Sequence, residues 1–293
     1  MKLSLGVFAV LVLCSAKAEF SSPTSTDLLS DSIELALSSC RRQFRWERWN
    51  CPTMQFVSRR YPDARLDRET AFVRAISSAS LIYTYARNCS RGSESDSQRC
   101  YGERGQDSGS WDSGNNLVKV GLDVKGYGDA HNRRAGWVAI QNAVRKYCRC
   151  HGVSGSCAMR TCWSTLKSFA TIAAGVKRMY TEAKRLFVDN SGKLNGGRIR
   201  PDQLIFVHPS PDYCKRNVIP GWSGTFNRFC SLAKGPTVGP EERKSCRNLC
   251  RSCGLKVKKH VKEGERKCNC RFNWCCQVTC DKCLETVEEY RCQ

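Results

Sequence analysis

The sequence lacks a long apolar run beyond its first segment and is short of acidic residues. After residue 18, no stretch of about 18 residues is both apolar and uncharged, so we predict no transmembrane helix. The 293 residues include 27 Asp and Glu against 48 Lys and Arg, a formal net charge of +21. A charge of this size favours anionic partners such as heparan sulfate or an acidic membrane surface.

The first 18 residues have the pattern of a secretory signal peptide. Lys2 precedes an apolar run over residues 3–13, and Ala16-Lys17-Ala18 fits the small-residue cleavage site. This run is too short to span a bilayer. We therefore predict a secreted protein, a compartment in which nucleic acid is the wrong partner. Removing residues 1–18 leaves 46 basic and 27 acidic residues, a net charge of +19.

Cysteine is abundant. Cys14 leaves with the signal peptide, and the 20 cysteines that remain predict a framework of up to ten disulfides. Residues 19–200 contain eight of them and residues 201–293 contain twelve. The predicted fold is α+β, with a helical N-terminal domain over residues 19–200 and a cystine-rich β-hairpin domain over residues 201–293. The glycine-rich stretch 190–198 is the predicted linker.

Residues 148–163 read CRCHGVSGSCAMRTCW and contain four cysteines. Their spacing suits a nested antiparallel hairpin over residues 148–162, closed by the disulfides Cys148–Cys162 and Cys150–Cys157. The six-residue tip, HGVSGS, is small and polar, and its glycines can adopt positive φ. Two bridges at the base of so short a loop would present one hydroxyl, that of Ser154.

The residue types in this hairpin allow three other interpretations. Ser154 lies in GVSGS, where the second glycine comes one position too early for the G-x-S-x-G of a serine hydrolase. A zinc site from Cys148, Cys150, His151 and Cys157 has suitable ligands, but its spacing matches no usual zinc motif. The hairpin could also have a purely structural role, with disulfides that only stabilise the fold. We favour presentation of a modified or contacting loop.

CRCHGVSGSCAMRTCW resembles the signature of the Wnt family of secreted, lipid-modified signalling ligands. The resemblance implies that Ser154 is acylated with a monounsaturated fatty acid by the membrane acyltransferase Porcupine. It further implies that this hairpin is the family's thumb, which inserts its lipid into the cysteine-rich domain of a Frizzled receptor, with Val153 beside it. Apart from the covalent acyl chain it implies no cofactor, and it implies no enzymatic activity.

The resemblance extends from about residue 35 to residue 292. The segments QFRWERWNC and ETAFVRAISSAS are similar to family segments, and QLIFVHPSPD is most similar to the class-eight subgroup. The implied partners are Frizzled, an LDL-receptor-related co-receptor, heparan sulfate and a lipid-binding secretion carrier. Two other classes of function stay open, a basic extracellular glycosaminoglycan binder and a secreted hydrolase that uses Ser154.

A second hairpin is predicted over residues 268–283. Pairing Cys268 with Cys283 and Cys270 with Cys280 keeps the sum of the residue numbers nearly constant, as antiparallel strands require. The tip, RFNWCCQVT, has no visible core to enter, and its apolar residues predict a contact site. These residues are Phe272, Trp274 and Val278. The alternative is that Trp274 folds back onto the hairpin.

In the Wnt family this second hairpin is the index finger, which grips the far side of the Frizzled domain. The resemblance implies a disulfide between the adjacent Cys275 and Cys276 at its tip. It also implies the pairs Cys214–Cys253, Cys230–Cys246 and Cys250–Cys292. The family has two further cysteines at the Gly102 and Gly114 positions, and their joint loss keeps the count even.

The remaining expectations concern local structure. Periodicity predicts helices over residues 26–44, 69–88, 135–147 and 164–188, with irregular chain over 91–128. Cys40–Cys51 and Cys89–Cys100 are predicted as local bridges, and Trp46 and Trp49 as packing residues.

Asn88-Cys89-Ser90 is a glycosylation sequon at a place where Wnt proteins carry a glycan. His208 has no partner cluster and is assigned no role. A run of lysines and arginines over residues 256–267 adds to the predicted polyanion-binding surface.

Overall fold

A computed structural model of the chain describes residues 25–57, 65–89, 124–188, 190, 194–217, 221–274 and 276–293. The predicted signal peptide lies outside these residues. The described α-helices are α1 Ser25–Gln43, α2 Met54–Val57, α3 Arg68–Cys89, α4 Val124–Gln141, α5 Phe169–Thr181, α6 Pro240–Arg243 and α7 Ser245–Leu249. The strands are β1 Val144–Cys150, β2 Arg160–Leu166, β3 Lys184–Arg185, β4 Phe187–Val188, β5 Leu194–Asn195, β6 Ile205–Phe206, β7 Phe229–Cys230, β8 Val257–Asn273 and β9 Gln277–Cys292. Within these ranges, no helix has the length and apolar character needed to cross a membrane.

The first core forms around α3, which has no charged residue from 75 to 86. This helix packs against α1, α4 and α5, and Phe72 and Ile76 are completely buried. The backbones of α3 and α4 approach closely at Gly136, where a Cβ atom would lie 2.1 Å from the Ala75 carbonyl oxygen. These contacts bury most of residues 71–80, whereas Leu81 and Tyr85 in the second half of the uncharged stretch are exposed.

An aromatic cluster lies where α1, α3 and α5 meet. The Phe44 ring is edge-on to three others, with centroid separations of 4.6 Å to Trp49, 4.8 Å to Phe72 and 4.9 Å to Tyr180. Edge-to-face pairs contribute about 0.5–1.5 kcal/mol each beyond their buried area. The predicted packing role of Trp49 is confirmed, and the Cys40–Cys51 disulfide closes the loop that contains it.

One ammonium group is buried beside this cluster. Lys177 on α5 is 6% exposed, forms an ion pair with Glu47, and places its Nζ 3.6 Å from the centroid of the Phe44 ring. An unpaired charge in the interior would cost several kcal/mol. The carboxylate and the aromatic ring face together compensate the burial of Lys177.

Two of the predicted helices have different limits in the structure. The helix expected over 135–147 is Val124–Gln141, and the one expected over 164–188 is limited to Phe169–Thr181. The cause is the antiparallel pairing of β1 with β2, which takes residues from the end of one predicted helix and the start of the other. Ser168 then begins α5 by accepting a hydrogen bond from the Thr171 N–H.

The segment that follows the predicted domain boundary between residues 200 and 201 packs on the helical core. Strand β6 pairs in parallel with β3, and Leu204 and Ile205 are completely buried in the N-terminal domain. The Asn132 side chain on α4 donates to the Ile205 carbonyl at 3.0 Å and accepts from the Ile205 N–H at 2.9 Å. Tyr213 also belongs to the first core. Residues 204–206 and Tyr213 therefore pack with the N-terminal helices, although they follow the predicted linker.

The second domain has a small core built largely of disulfides. Its buried members are Cys230, Cys246, Leu249, Cys250 and Cys292. Strand β9 lies between β7 and β8 in a three-stranded sheet, and the disulfides Cys230–Cys246 and Cys250–Cys292 attach the sheet to α7. Although three of these sulfurs lie close together, each is bonded to another sulfur, so the cluster offers a metal no thiolate.

Arg228 joins the two domains. Its guanidinium donates hydrogen bonds to the carbonyl oxygens of Glu47 at 2.6 Å, Arg48 at 2.7 Å and Arg45 at 3.0 Å. Burial lowers the pKa of Arg228 to about 10, so the side chain remains charged at neutral pH. Beside it, the Phe229 ring packs 5.7 Å from that of Trp46. One turn of the first domain therefore docks on the start of β7.

Arg228→Ala should lower the free energy of unfolding by about 3 kcal/mol, because three carbonyl groups lose a charged donor. Urea denaturation with the disulfides intact measures this loss. Arg271→Ala is the matched control, since Arg271 is exposed on β8 and the described residues give its side chain no ion pair. We expect the control to change stability by less than about 0.5 kcal/mol. Equal losses in the two variants would contradict the role of Arg228.

Candidate functional site

The thumb hairpin, residues 144–166, is formed by β1 and β2. Their register places Cys148 directly opposite Cys162, and a disulfide joins the two residues. A second disulfide, Cys150–Cys157, closes the tip. Nearly all residues of both strands are exposed. The hairpin therefore projects from the helical domain, and disulfides rather than a hydrophobic core hold its strands together.

Backbone hydrogen bonds shape the tip of the thumb hairpin. Residues Val153–Gly155 form one 3₁₀ turn, and the Gly152 N–H donates to the Ser156 carbonyl at 2.8 Å. Glycine is needed at position 152, because a Cβ atom there would lie 2.0 Å from Ser156 Oγ and 2.4 Å from its carbonyl oxygen. The tip is thus held by its own backbone as well as by the Cys150–Cys157 bridge.

Ser154 lies at the apex of this turn and is exposed. Its backbone is left-handed, with φ 58° and ψ 25°, a conformation that costs an L-residue about 1–2 kcal/mol. A Cβ atom at the next residue, Gly155, would meet nothing within 4 Å. The space beside the residue that follows Ser154 is therefore open. The preceding side chain, Val153, is 90% exposed.

The geometry of the tip tests two of the alternatives, a serine nucleophile at Ser154 and a zinc site. A serine nucleophile needs a base within about 3 Å. In the described parts of the chain, no side chain forms a hydrogen bond with Ser154 Oγ. The zinc alternative is wrong, because Cys148, Cys150 and Cys157 are all in disulfides and zinc requires thiolate ligands. The arrangement suits presentation of a hydroxyl.

The finger ribbon, residues 257–292, is formed by β8 and β9 and is longer than the hairpin predicted over 268–283. Two disulfides clamp its outer half, Cys268–Cys283 and Cys270–Cys280. The register shifts between Cys268 and Arg271, where Asn269 adopts a φ of 47°. This β-bulge accommodates two bridges whose cysteines have unequal spacing on the two strands.

The apolar side chains at the tip of the finger ribbon are exposed. Trp274 is 95% exposed, Phe272 70% and Val278 63%. Phe272 and Val278 lie directly opposite each other in the register, so they form one patch below the turn that presents Trp274. The interpretation in which Trp274 folds back onto the hairpin is therefore wrong. The apolar side chains predicted at this tip are therefore exposed to solvent rather than packed on the ribbon.

The predicted bond between Cys275 and Cys276 is not borne out where the chain is described. Cys276 is an exposed free cysteine with a φ of 76°, and Cys275 lies outside the described residues. Successive side chains of an extended chain point to opposite sides, so a bridge between neighbours requires a local distortion of the backbone. The positive φ at Cys276 is a distortion of this kind, but Cys276 is free in the described part of the chain.

The finger ribbon neutralises much of its own charge. Three of the six cations in the predicted polyanion-binding run are paired with β9 carboxylates, namely Lys259–Glu288 at 2.7 Å, Lys262–Glu289 at 3.3 Å and Arg266–Glu285 at 3.5 Å. The hydrogen bond from Lys259 lowers the pKa of Glu288, and those from Arg291 and Lys262 lower the pKa of Glu289. The ribbon is therefore a weaker polyanion surface than its lysine content indicated.

Comparison with known families identifies this arrangement. A family model described as the wnt family matches residues 13–125 and 119–293. The chain belongs to the Wnt family. Wnt proteins are secreted signalling ligands, and this chain is a Wnt signalling ligand.

Similar Wnt proteins include members of the class-eight group. The chain is 35% identical to Wnt-8a of Danio rerio over 91% of its length and 83% of the relative's. It is 36% identical to Wnt-8b of Homo sapiens, over 87% and 81% of the two chains. For Wnt-8 of Xenopus laevis the identity is 35%, over 87% and 80%.

A solved structure agrees with the Wnt fold of the chain. The structure described as human WLS in complex with WNT8A contains a chain that matches with a TM-score of 0.66 and 32% identity. The match covers 94% of this chain and 96% of that one. The predicted α+β fold, with helical and cystine-rich parts, is confirmed.

The described disulfides of this Wnt protein are those expected from spacing and resemblance. The eight pairs are Cys40–Cys51, Cys148–Cys162, Cys150–Cys157, Cys214–Cys253, Cys230–Cys246, Cys250–Cys292, Cys268–Cys283 and Cys270–Cys280. The partner predicted for Cys89, Cys100, lies outside the described residues, as do Gly102 and Gly114. Asn88, the predicted glycosylation site, is half-buried near the end of α3.

Sequence reasoning missed two aromatic residues of the Wnt thumb. Tyr147 and Trp163 face each other across β1 and β2 with ring centroids 5.0 Å apart, and they are 58% and 43% exposed. Helical periodicity assigned Tyr147 to the preceding helix. The signal that could have corrected this is the spacing of Cys148 and Cys150, because residues two apart share one face of a strand, which indicates that a strand rather than a helix precedes the tip.

Trp274→Ala should leave the free energy of unfolding of this Wnt protein unchanged within about 0.5 kcal/mol, because the side chain is exposed. Trp49→Ala is the comparison within the same chain. Trp49 is 2% exposed and packs on Phe44, so its truncation should cost about 3–5 kcal/mol. Denaturant unfolding of both variants measures the difference. A large loss for Trp274→Ala would mean that the tip is structural.

Proposed function

We propose that this Wnt ligand binds the cysteine-rich domain of a Frizzled receptor at two places, an acyl chain on Ser154 and the finger tip with Trp274. The observation that carries the proposal is the position of Ser154. Its exposed hydroxyl lies at the apex of a hairpin clamped by two disulfides, in a left-handed backbone with open space beside it. An acyltransferase needs an accessible hydroxyl of this kind.

The free energy available from burying apolar surface supports a lipid at this tip. In the HGVSGS tip only Val153 has an apolar side chain, so the bare loop offers little contact surface. An acyl chain of about sixteen carbons would provide on the order of 10 kcal/mol of gross burial energy at about 0.8 kcal/mol per CH₂. Ordering costs reduce this gain, but it still exceeds what the bare tip can contribute. The rigid base of the thumb hairpin would aim the flexible chain.

The finger ribbon supports the second contact. Trp274, Phe272 and Val278 form an exposed apolar group at the end of a bridged ribbon. Large aromatic side chains that become buried at the centre of an interface dominate binding energy. We propose that this finger tip contacts the Frizzled domain at a place separate from the acyl chain.

Other partners follow from the family and from charge. Porcupine would acylate Ser154, and a lipid-binding carrier would accompany the acylated chain during secretion, since the solved relative is WNT8A in complex with WLS. An LDL-receptor-related protein would be the co-receptor. Heparan sulfate would bind the basic surface, because the chain without residues 1–18 has a net charge of +19.

Ser154→Ala should remove both the lipid mass and the binding to the Frizzled domain, because the variant lacks the acylated oxygen. Mass spectrometry of the tip peptide and a binding assay with the purified cysteine-rich domain measure the two effects. Ser156→Ala is the matched control, since Ser156 is also an exposed serine of the tip. It should keep the lipid and the binding. Full binding by Ser154→Ala would contradict the proposed role of the acyl chain.

Trp274→Ala should weaken binding to the Frizzled domain by about 2 kcal/mol or more, about 30-fold in Kd, because an aromatic anchor is lost. Titration of the receptor domain with secreted variant measures this. Leu284→Ala is the control, since Leu284 is 77% exposed on the same ribbon but away from its tip. Unchanged affinity for Trp274→Ala would remove the finger tip from the interface.

A further inference from the structure

One face of the thumb hairpin combines cations with aromatic rings. Because side chains alternate along a strand, the unbroken register places six residues on this side of β1 and β2. We call them the aromatic face, and they are Arg145, Tyr147, Arg149, Thr161, Trp163 and Thr165. The Tyr147 and Trp163 rings lie together at the centre, 5.0 Å apart. An arginine comes two positions before and two positions after Tyr147.

The charge of this hairpin is uncompensated. Residues 144–166 contain four cations, Arg145, Lys146, Arg149 and Arg160, and no acidic residue. All four are exposed, and none forms an ion pair with an acid in the described ranges. The finger ribbon, by contrast, supplies glutamates opposite its own cations. The finger ribbon therefore pairs many of its cations with its own carboxylates, whereas the cations of the thumb hairpin have no acidic partner in the described ranges.

The rings of Tyr147 and Trp163 are also partly exposed to solvent. Trp163 is 43% exposed and Tyr147 58% exposed, and no element of the described chain packs over them as a third layer. Tyrosine and tryptophan have an apolar body with a polar edge, and such rings concentrate at the level of lipid headgroups. Arginine places its charge at the same level while its stem covers apolar surface.

We propose that the aromatic face docks on a membrane surface that displays anionic lipid headgroups. The arginines would pair with the headgroup charges, and the two rings would enter the interfacial layer between them. Charge complementarity selects an anionic surface. The exposed rings favour a membrane over a sulfated glycan, because sulfate groups would pair with the arginines but would offer the rings no apolar layer to enter. The binding is non-covalent and needs no acyl chain.

This inference does not require acylation of Ser154, although the two features complement each other. A single acyl chain gives only marginal and reversible attachment to a bilayer, and a basic patch is a common second element. Because the thumb hairpin holds Ser154 at one end and the aromatic face along one side, docking of this face would lay the hairpin against the membrane.

The test uses the full secreted chain with Ser154→Ala, so that no acyl chain contributes. Its sedimentation with phosphatidylcholine vesicles is compared with and without phosphatidylserine, at about 0.15 M salt. Arg145→Gln with Arg149→Gln should lower the partition coefficient for the anionic vesicles about 30-fold, equivalent to about 1 kcal/mol for each cation near the surface. Arg145→Lys with Arg149→Lys should retain most of the binding, which shows that the fold is intact.

Lys146→Gln with Arg160→Gln is the matched control. It removes the same charge from the opposite face of the same two strands. That face lies beyond the layer of strands, where screening over about 8 Å weakens its attraction to the membrane, so we expect a loss of less than about 5-fold. Tyr147→Ser with Trp163→Ser should also reduce vesicle binding while leaving elution from heparin unchanged.

Three results would overturn the proposal. The first is equal loss in the two glutamine pairs, which would indicate general attraction to polyanions. The second is equal binding to vesicles with and without phosphatidylserine. The third is full vesicle binding by the serine variant combined with earlier elution of the Arg145/Arg149 variant from heparin, which would assign the arginines to a glycan. Because every variant lacks the acyl chain, none of these results depends on the lipid at Ser154.

Discussion

Disulfide bonds are the constraint on which the exposed half of this structure depends. The thumb hairpin exposes nearly all of its strand residues and the finger ribbon most of them, and neither has a hydrophobic core of its own. An isolated two-stranded hairpin is marginally stable in water at best. Pairs such as Cys148–Cys162 and Cys268–Cys283 restrict the unfolded chain, and a bridge across a loop of about 15 residues contributes roughly 3 kcal/mol. The exposed surfaces are thereby freed from packing and available for contact.

Each hairpin is anchored in the core of its own domain. The core is helical for the thumb hairpin and rich in disulfides for the finger ribbon. The thumb hairpin emerges between α4 and α5, which pack on α3 in the helical core. The finger ribbon is continuous with the sheet of the second domain, where disulfides supply much of the core. Arg228 couples these bases through three backbone carbonyls of one turn. The distance between the two tips therefore depends on a polar junction as well as on hydrophobic packing.

Charge is distributed unevenly over this basic chain. The finger ribbon pairs Lys259, Lys262 and Arg266 with glutamates of its partner strand. The thumb hairpin has no acid at all, so its cations remain free to meet an external anion. Net charge alone predicted an anionic partner but could not locate the surface. Because ion pairing depends on strand register, only the paired structure distinguishes a neutralised ribbon from a cationic hairpin.

By itself, the sequence determined the chemistry of both tips. Cysteine spacing was enough to predict each clamped hairpin, through the nested pairs of the thumb and the nearly constant sum of the bonded positions in the finger. The composition of the tips predicted an exposed serine in one and an exposed Trp274 in the other. Local periodicity failed at residues 144–147 and 164–168, which it assigned to helices, and it did not predict the packing of residues 204–206 on the helical core. In each case a distant partner decided the outcome, namely β2 for β1, and β3 with Asn132 for β6. The aromatic face exists only in the folded chain, because the register that sets Tyr147 opposite Trp163 is a property of pairing between strands.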